Sequence, residues 1–394
     1  MIEGRDIICF ANDWDSDPLS KKHVMTRLAR HNRVLWVNSL GVRNPTVSAR
    51  DARRVWEKLR GFLRGCRQVE DNLWVFTPVV IPFHGSAFAR SINRRLLAFM
   101  LRRVCRRLGF ERPITWSFVP SSSGVVGRLG EQMVLYQCVD EYSEFRGADK
   151  GAILRMEREL VERSDLVIVS SEPLLEAKRR FNPATHLVTH GVEVDHFRRA
   201  CDPGTAVPEA LQRLPRPVIG FFGLLADWVD LELIRRLAIE RPAWSIVMIG
   251  KIDTDVSALR PLPNVHLLGP QPYATLPAYC KGFDVALVPF VVNELTLAAN
   301  PLKMREYLAA GLPVISTDLP EARRLTGLVR IAHGHGDFIA AIEDVLESGG
   351  GPRASVSAAM DRESWDAKVE EMCRLVAGAA PSITRKAARE CLAS

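Results

Sequence analysis

Short apolar runs alternate with stretches of helical period from end to end of the chain. This alternation constrains the fold more than any other feature. Residues 6–11 read as a strand, 21–31 as a helix and 33–38 as a second strand. A strand, helix, strand order implies a parallel sheet. Further strands are expected at 73–78, 114–119, 133–138, 166–170 and 186–189, with a helix over 152–163 that ends at the Ser164-Asp165 turn.

Residues 200–217 are rich in Pro, Gly, Asp and Ala and have no clear period, so they read as a linker. A second series of the same kind follows. Strands are expected at 218–223, 245–250, 265–268 and 285–289, and another at Val314. Helices are expected at 231–240 and 273–280. A last amphipathic helix, 364–377, puts Trp365, Val369, Met372 and Val376 on one face. The implied architecture is α/β, with two doubly wound domains. The first spans 1–199 and takes in the final helix, counted as 364–380. After the 200–217 linker the second spans 218–363, and 381–394 form a tail. Paired domains of this kind bind ligands at the carboxyl ends of their strands.

The chain has 394 residues, 47% of them hydrophobic and 25% charged, which indicates a globular protein with two substantial cores. It has no run of 18 uncharged apolar residues, so no transmembrane helix is expected. The apolar stretch near the start, residues 7–11, is too short for a signal peptide. Eight cysteines stand without any C-x-x-C pair, as in a reducing compartment, and neither a zinc site nor a disulfide framework is suggested. The expected location is the cytoplasm. Charge is uneven: between Arg43 and Arg112 there are 16 Lys/Arg against 5 Asp/Glu. That balance suits a negatively charged partner surface.

The segment Asn300-Pro-Leu-Lys-Met-Arg-Glu-Tyr-Leu-Ala-Ala-Gly-Leu-Pro-Val-Ile-Ser-Thr317 concentrates the chemistry. Asn300 is suited to cap a helix and Pro301 to its first position. Lys303 and Glu306 then share a face. A helix N-terminus with a cation beside it suits phosphate, and a carboxylate one turn on suits a sugar diol. The same residues also fit an ordinary capped helix with a solvated ion pair, and they leave both readings open.

Several stretches together resemble the retaining glycosyltransferases of the GT-B fold, especially glycosyltransferase family 4 and related enzymes of bacterial polysaccharide assembly. In the second half these are Gly220-Phe-Phe-Gly223, Ile249-Gly250, the run 264–270, Phe283-Asp-Val-Ala-Leu-Val-Pro-Phe290 and the 300–316 segment. In the first half they are 135–142, 164–171 and His190-Gly-Val-Glu-Val-Asp-His-Phe197. The resemblance covers residues 6–376. It implies two Rossmann-like domains facing a central cleft, with the final helix crossing back to the first. The first domain would bind a saccharide or lipid-linked acceptor and the second a nucleoside-diphosphate sugar, the co-substrate of a hexosyltransferase-type enzyme that needs no further cofactor. Glu306 matches the second glutamate of the family's E-x7-E motif, which holds the ribose. Asn300, Pro301 and Leu302 match the segment facing the diphosphate, and Gly223 the turn after the domain's first strand.

The departures matter as much. Ala298 stands where the motif's first glutamate belongs, and Glu294 is the nearby carboxylate that would reach the sugar instead. Neither cation of the family's Arg/Lys pair is present in residues 223–229, so Lys303 or Lys251 would supply the charge. Asp13-Trp-Asp15, Asp15-Ser-Asp17 and Asp253-Thr-Asp255 match a metal motif by letter only, and no metal is expected. With retention the leaving phosphate itself takes the acceptor proton. With inversion a base is needed, and Asp140 is the candidate at the end of the 133–138 strand, followed by Glu141 and then His190. His23 reads as a helix-surface residue.

The segment 90–108 has helical period, with Leu97, Leu101, Val104 and Leu108 on one face and seven arginines around the rest; residues 53–64 are similar. Such helices lie on anionic membranes or present a solvated basic face over a core, and the sequence allows either. The membrane reading adds the inner face of the cell membrane to the cytoplasmic expectation. No nucleic-acid-binding module is seen. Two other functions fit the pattern, a sugar-nucleotide epimerase and a degenerate, non-catalytic sugar-nucleotide-binding protein.

Overall fold

The computed structural model describes residues 2–15, 19–39, 65–78 and 87–379, without the side chains of 87–91. The basic segment 53–64, Asp17 and the tail 381–394 lie outside the described residues. The chain divides into two compact units, Met1–Thr189 with Lys368–Ser394, and His190–Ala367. Residues 200–217, expected as a linker, therefore lie inside the second unit. Leu211 is part of that unit's core, so the stretch is packed despite its lack of period.

The first unit has strands β1 Asp6–Phe10, β2 Arg33–Val37, β3 Cys66–Glu70, β4 Leu73–Phe76, β5 Ile114–Ser117, β6 Met133–Cys138, β7 Leu166–Val169 and β8 Thr185–Leu187. Their spatial order is β3-β4-β2-β1-β5-β6-β7-β8. All neighbours are parallel except β3 and β4, a hairpin whose turn holds Asn72 at φ 59°. β3 was not legible in the sequence because CRQVE is only half-buried and has no apolar run. β1 and β5 are adjacent, and the strand order runs outward from them in opposite directions, which makes them the switch point of this sheet.

Four helices of this unit position side chains of interest: α1 Ser20–Ala29, α2 Ala87–Leu108, α3 Lys150–Arg163 and α4 Glu172–Arg179. Along α2, Leu97, Leu101 and Val104 join a core with Phe10, Leu35 and Phe76, as the helical period implies. Arg94, Arg95, Arg102, Arg103, Arg106 and Arg107 are exposed, and so is Phe99 at 59%.

The second unit has a six-stranded, wholly parallel sheet: β9 Val218–Phe222, β10 Ser245–Ile249, β11 Val265–Gly269, β12 Val285–Val288, β13 Val314–Thr317 and β14 Val329–Ala332, ordered β11-β10-β9-β12-β13-β14. Six of its helices matter below: α5 Leu231–Glu240, α6 Leu276–Gly282, α7 Glu294–Ala298, α8 Leu302–Ala309, α9 Pro320–Arg324 and α10 His335–Glu347. A final helix, α11 Trp365–Gly378, belongs to the first unit from Lys368 onward. The central strands β9, β10 and β12 are buried along their whole length, because both faces of a parallel sheet are covered. Packing at β9 is tight: a Cβ on Gly220 would stand 2.1 Å from the Phe283 ring.

The two faces of α2 should respond differently to truncation. Leu101 is fully buried, so Leu101→Ala is expected to cost about 2–5 kcal/mol in urea denaturation. Phe99→Ala on the exposed face should stay within about 0.5 kcal/mol. Equal losses at both positions would contradict the core assignment.

Candidate functional site

The carboxyl ends of three strands in the second unit converge on Lys303. β9 runs into Gly223, whose N–H donates to the Ile249 carbonyl at 2.8 Å. β10 runs into Gly250, whose N–H donates to the Gly269 carbonyl at 2.9 Å. Gly223 and Gly250 have φ of 136° and 145°, a region that side chains rarely adopt. They also touch: a Cβ on Gly250 would lie 1.8 Å from the Gly223 carbonyl oxygen. A Cβ on Gly223 would lie 2.7 Å from Lys303 Cε. The bare Gly223 turn leaves the room that Lys303 occupies, and Gly250 lets that turn pack close.

Aromatic rings flank that ammonium. Lys303 Nζ stands 4.8 Å from the Phe290 ring centroid and 5.4 Å from that of Phe221. Such contacts hold a cation with about 0.5–2 kcal/mol each. Glu306 follows one turn later on α8. Burial pushes the Lys303 ammonium down to about 8, against the pull of Glu306. Burial likewise pushes the Glu306 carboxyl up to about 7, against the pull of Lys303. Both side chains are half-buried, so the two charges sit in a partly desolvated setting rather than on an open helix face.

α8 is tied to the strand beneath it. Tyr307 Oη accepts the Phe222 N–H at 2.7 Å, which ties the end of β9 to the helix bearing Lys303. Asn300 does not cap this helix. α8 starts at Leu302 with Pro301 as its cap residue and no side-chain cap bond. The Asn300 Oδ1 instead accepts from Arg305 Nη1 at 2.6 Å. Arg305 is 2% exposed and also engages Glu321 and Glu363. A buried guanidinium needs acceptors for its fork of donors, and that need outweighs the cap. The Asn300 carbonyl is held at 3.0 Å by His190 Nδ1, so His190 holds the segment that leads into α8. This network escaped the sequence reading because Arg305 sits among residues that look like an exposed helix face.

The remaining expected residues of this unit lie around the cluster. Lys251 follows Gly250 but is exposed, and its carbonyl accepts the Leu225 N–H. Glu294 is the exposed first residue of α7, between Asn293 and Thr296 of the capping box. Ala298 is buried at the end of that helix. Lys303 is therefore the cation placed against the glycine turns.

Asp140 belongs to the first unit, just past the end of β6. Burial pushes its carboxyl up to about 6, while Lys21 works the other way. Glu141, its neighbour, is held by Lys178 Nζ at 3.0 Å and Ser143 Oγ at 2.8 Å. Lys178 also bonds Glu157 at 2.7 Å, and Tyr136 Oη donates to Glu157 at 2.7 Å. Glu141 is thus committed to a buried structural network. Of the acidic pairs, Asp15 binds Arg67 at 2.7 Å and Asp255 accepts the Ser257 N–H at 2.9 Å.

Residues 216–348 match the family model for glycosyl transferases group 1. That span runs from β9 through α10 and contains the whole Lys303 cluster. The *Bacillus subtilis* protein named "Putative teichuronic acid biosynthesis glycosyltransferase TuaH" is 29% identical over 263 residues, 61% of this chain and 65% of its own length. The match thus spans less than two thirds of that relative. The chain resembles the group 1 glycosyltransferases. Solved structures agree on the fold. A sucrose-phosphate synthase from *Thermosynechococcus elongatus* superposes with a TM-score of 0.69 at 15% identity, covering 94% of this chain and 98% of that one. *Anabaena* HepE in complex with UDP gives 0.65 at 12% identity, covering 95% and 99%. These neighbours share this chain's GT-B fold, with two parallel-sheet α/β domains.

The Lys303–Glu306 pair carries a pH signature. Glu306 becomes a carboxylate as pH rises through about 7, and Lys303 loses its charge as pH rises through about 8. A ligand that needs both charges should bind most tightly between those values. The dissociation constant of a nucleoside diphosphate, measured by calorimetry, should rise on both sides, approaching tenfold per pH unit. A flat profile from pH 6 to 9 would show that the pair does not face the ligand.

Proposed function

We propose that this protein is a glycosyltransferase that moves a sugar from a nucleoside-diphosphate donor to a saccharide or lipid-linked acceptor in cell-surface polysaccharide or glycolipid synthesis. One observation carries the reading. Lys303 stands against the bare Gly223 turn, which is itself packed on Gly250, with Glu306 one turn further along α8, inside the segment matched by the group 1 model. The cation suits a diphosphate and the carboxylate a ribose diol. The UDP and UDP-glucose bound by HepE support a nucleotide-sugar donor, and the name of the *Bacillus* relative supports polysaccharide synthesis.

In the proposed reaction the anomeric C–O bond to the diphosphate breaks and its electron pair leaves with the phosphate. Lys303 stabilises that growing charge, as a preorganised cation does best where water is scarce. The acceptor hydroxyl bonds to the anomeric carbon. Its proton goes to the leaving phosphate if configuration is retained, the course the family resemblance favours, or to Asp140 if it is inverted. Lys303 supplies the charge that a metal would otherwise provide, and the reaction is proposed to proceed without one.

A thermal-shift panel of nucleotides and nucleoside-diphosphate sugars tests the donor site, since selective binding raises the melting temperature. One diphosphate family should stabilise the protein, and Glu306→Ala should remove most of that shift while the protein stays folded. An unchanged shift in Glu306→Ala would end the ribose assignment. Nucleotide released only with acceptor marks a transferase. Conversion of the free sugar nucleotide would mark an epimerase, and binding without turnover a non-catalytic protein.

The exposed face of α2 is proposed to rest on an anionic membrane. Six arginines surround the exposed Phe99 there, and a near-surface cation is worth about 1 kcal/mol on such a membrane. No helix among the described residues is long and apolar enough to cross a membrane. Replacing Arg102, Arg103, Arg106 and Arg107 by Gln should abolish sedimentation with phosphatidylglycerol vesicles. Unchanged sedimentation would mean the arginines are only solvated.

A further inference from the structure

The second sheet divides at the carboxyl end of its two middle strands. β9 follows β10 through its whole length, to the Ile249–Phe222 pair. Its register with β12 ends earlier, at Ala286–Gly220. β12 then continues beside β13 as far as the Val288–Ser316 pair. Phe221 and Phe222 thus run past the point where β12 leaves them. Successive residues of a strand turn their N–H groups to opposite sides. The Gly223 N–H faces β10, where it donates to the Ile249 carbonyl, so the Phe222 N–H and carbonyl face the split. Phe222 is 5% exposed. Backbone groups buried in this way must find partners.

One side chain meets both groups. The Tyr307 hydroxyl accepts the Phe222 N–H at 2.7 Å and donates to the Phe222 carbonyl at 3.3 Å. A hydroxyl can do this because it is donor and acceptor at once. It takes the place of the backbone that β12 withdraws. The Tyr307 ring is fully buried and meets the Phe222 ring edge-on, with centroids 4.6 Å apart. Lys303 lies four residues before Tyr307 on α8, so the two share a face. The residue that Tyr307 grips is also the one just before Gly223, against which Lys303 leans. One hydroxyl therefore sets the height of α8 relative to the turn that its lysine uses.

We propose that Tyr307 is a positioning residue: by replacing the strand pairing that β12 gives up, its hydroxyl holds Lys303 against the Gly223 turn. Apolar residues of α8 bury the helix, but apolar burial is non-directional and tolerates sliding and rotation. A hydrogen bond to a fixed backbone does not. That a diphosphate meets Lys303 rests on the transferase reading, whereas the placement of Lys303 does not.

The readout is the titration of Lys303 itself, followed in the full chain by competitive acetylation with acetic anhydride and mass spectrometry of the Lys303 peptide. Tyr307→Phe deletes one oxygen and keeps the ring. The Phe222 N–H then draws water into the split, and the Lys303 ammonium becomes better hydrated. Its midpoint, held at about 8 by burial, should rise by about one unit, so acetylation at neutral pH should slow about tenfold. Ile234→Val, in the same core but on α5, is the comparison for lost packing and should leave the midpoint in place. Calorimetry with UDP, GDP and dTDP should show at least one of them bound about three- to tenfold more weakly by Tyr307→Phe. An unchanged Lys303 midpoint in folded Tyr307→Phe would overturn the proposal, and so would an equal shift in Ile234→Val. Wild type supplies a check that needs no variant. Its Phe222 amide should exchange with deuterium as slowly as the amides in the middle of β9, and exchange at the rate of an open loop would also overturn the proposal. If wild type bound no diphosphate but the Lys303 shift appeared, the donor reading would fall and the role of Tyr307 would stand.

Discussion

Lys303 can lie against the end of β9 only because Gly223 has no Cβ. A methyl there would stand 2.7 Å from the lysine's Cε. The same turn is pressed from beneath by Gly250, which is equally bare for the same steric reason. Two glycines in a backbone region that other residues avoid thus create the space for a cation at the carboxyl end of the sheet. Tyr307 fixes the third side by tying α8 to Phe222. The geometry of this cluster follows from those contacts, and the perturbed charges of Lys303 and Glu306 follow from the burial that the contacts impose.

The buried charges of this protein fall into two kinds. Arg305 is held by Asn300, Glu321 and Glu363, and Lys178 by Glu141 and Glu157. Their burial costs desolvation energy, and the surrounding carboxylates offset it, so removing one partner would leave an exposed deficit of about 3–5 kcal/mol. Lys21 differs, because its buried ammonium makes a single hydrogen bond among the described residues, to Asn12 Oδ1. The Arg305 network ties the segment before α8 to α8 and α9, and the Lys178 network ties the end of β6 to α3 and α4.

The positions of the Lys303 cluster and of Asp140 are an old consequence of parallel-sheet topology. Polar loops gather where strands end and helices begin, and the switch point opens a gap between neighbouring connections. In the first sheet that gap lies between β1 and β5, beside Asn12, Lys21 and Asp140. In the second sheet the Lys303 cluster gathers over β9, β10 and β12. α2 serves a separate role. Its apolar residues close the first core, and its arginines are left outside.

Much of this was legible in one dimension. Parallel α/β domains, most strand positions and the shared helix face of Lys303 and Glu306 follow from apolar runs and helical spacing, because those patterns depend on local periodicity. β3 was not legible, since an edge strand that is half-buried has no apolar run. The role of Asn300 was read as a cap because that is its commonest local use, but the buried guanidinium of Arg305 claims it. Asp140 could be named as a carboxylate at a strand end, yet its partner Lys21 is more than a hundred residues away and nothing local connects them. The class of fold was written in the local pattern of the chain. Which charges are buried and which are satisfied depends on folding, because burial and hydrogen bonding are set by residues that are distant along the chain.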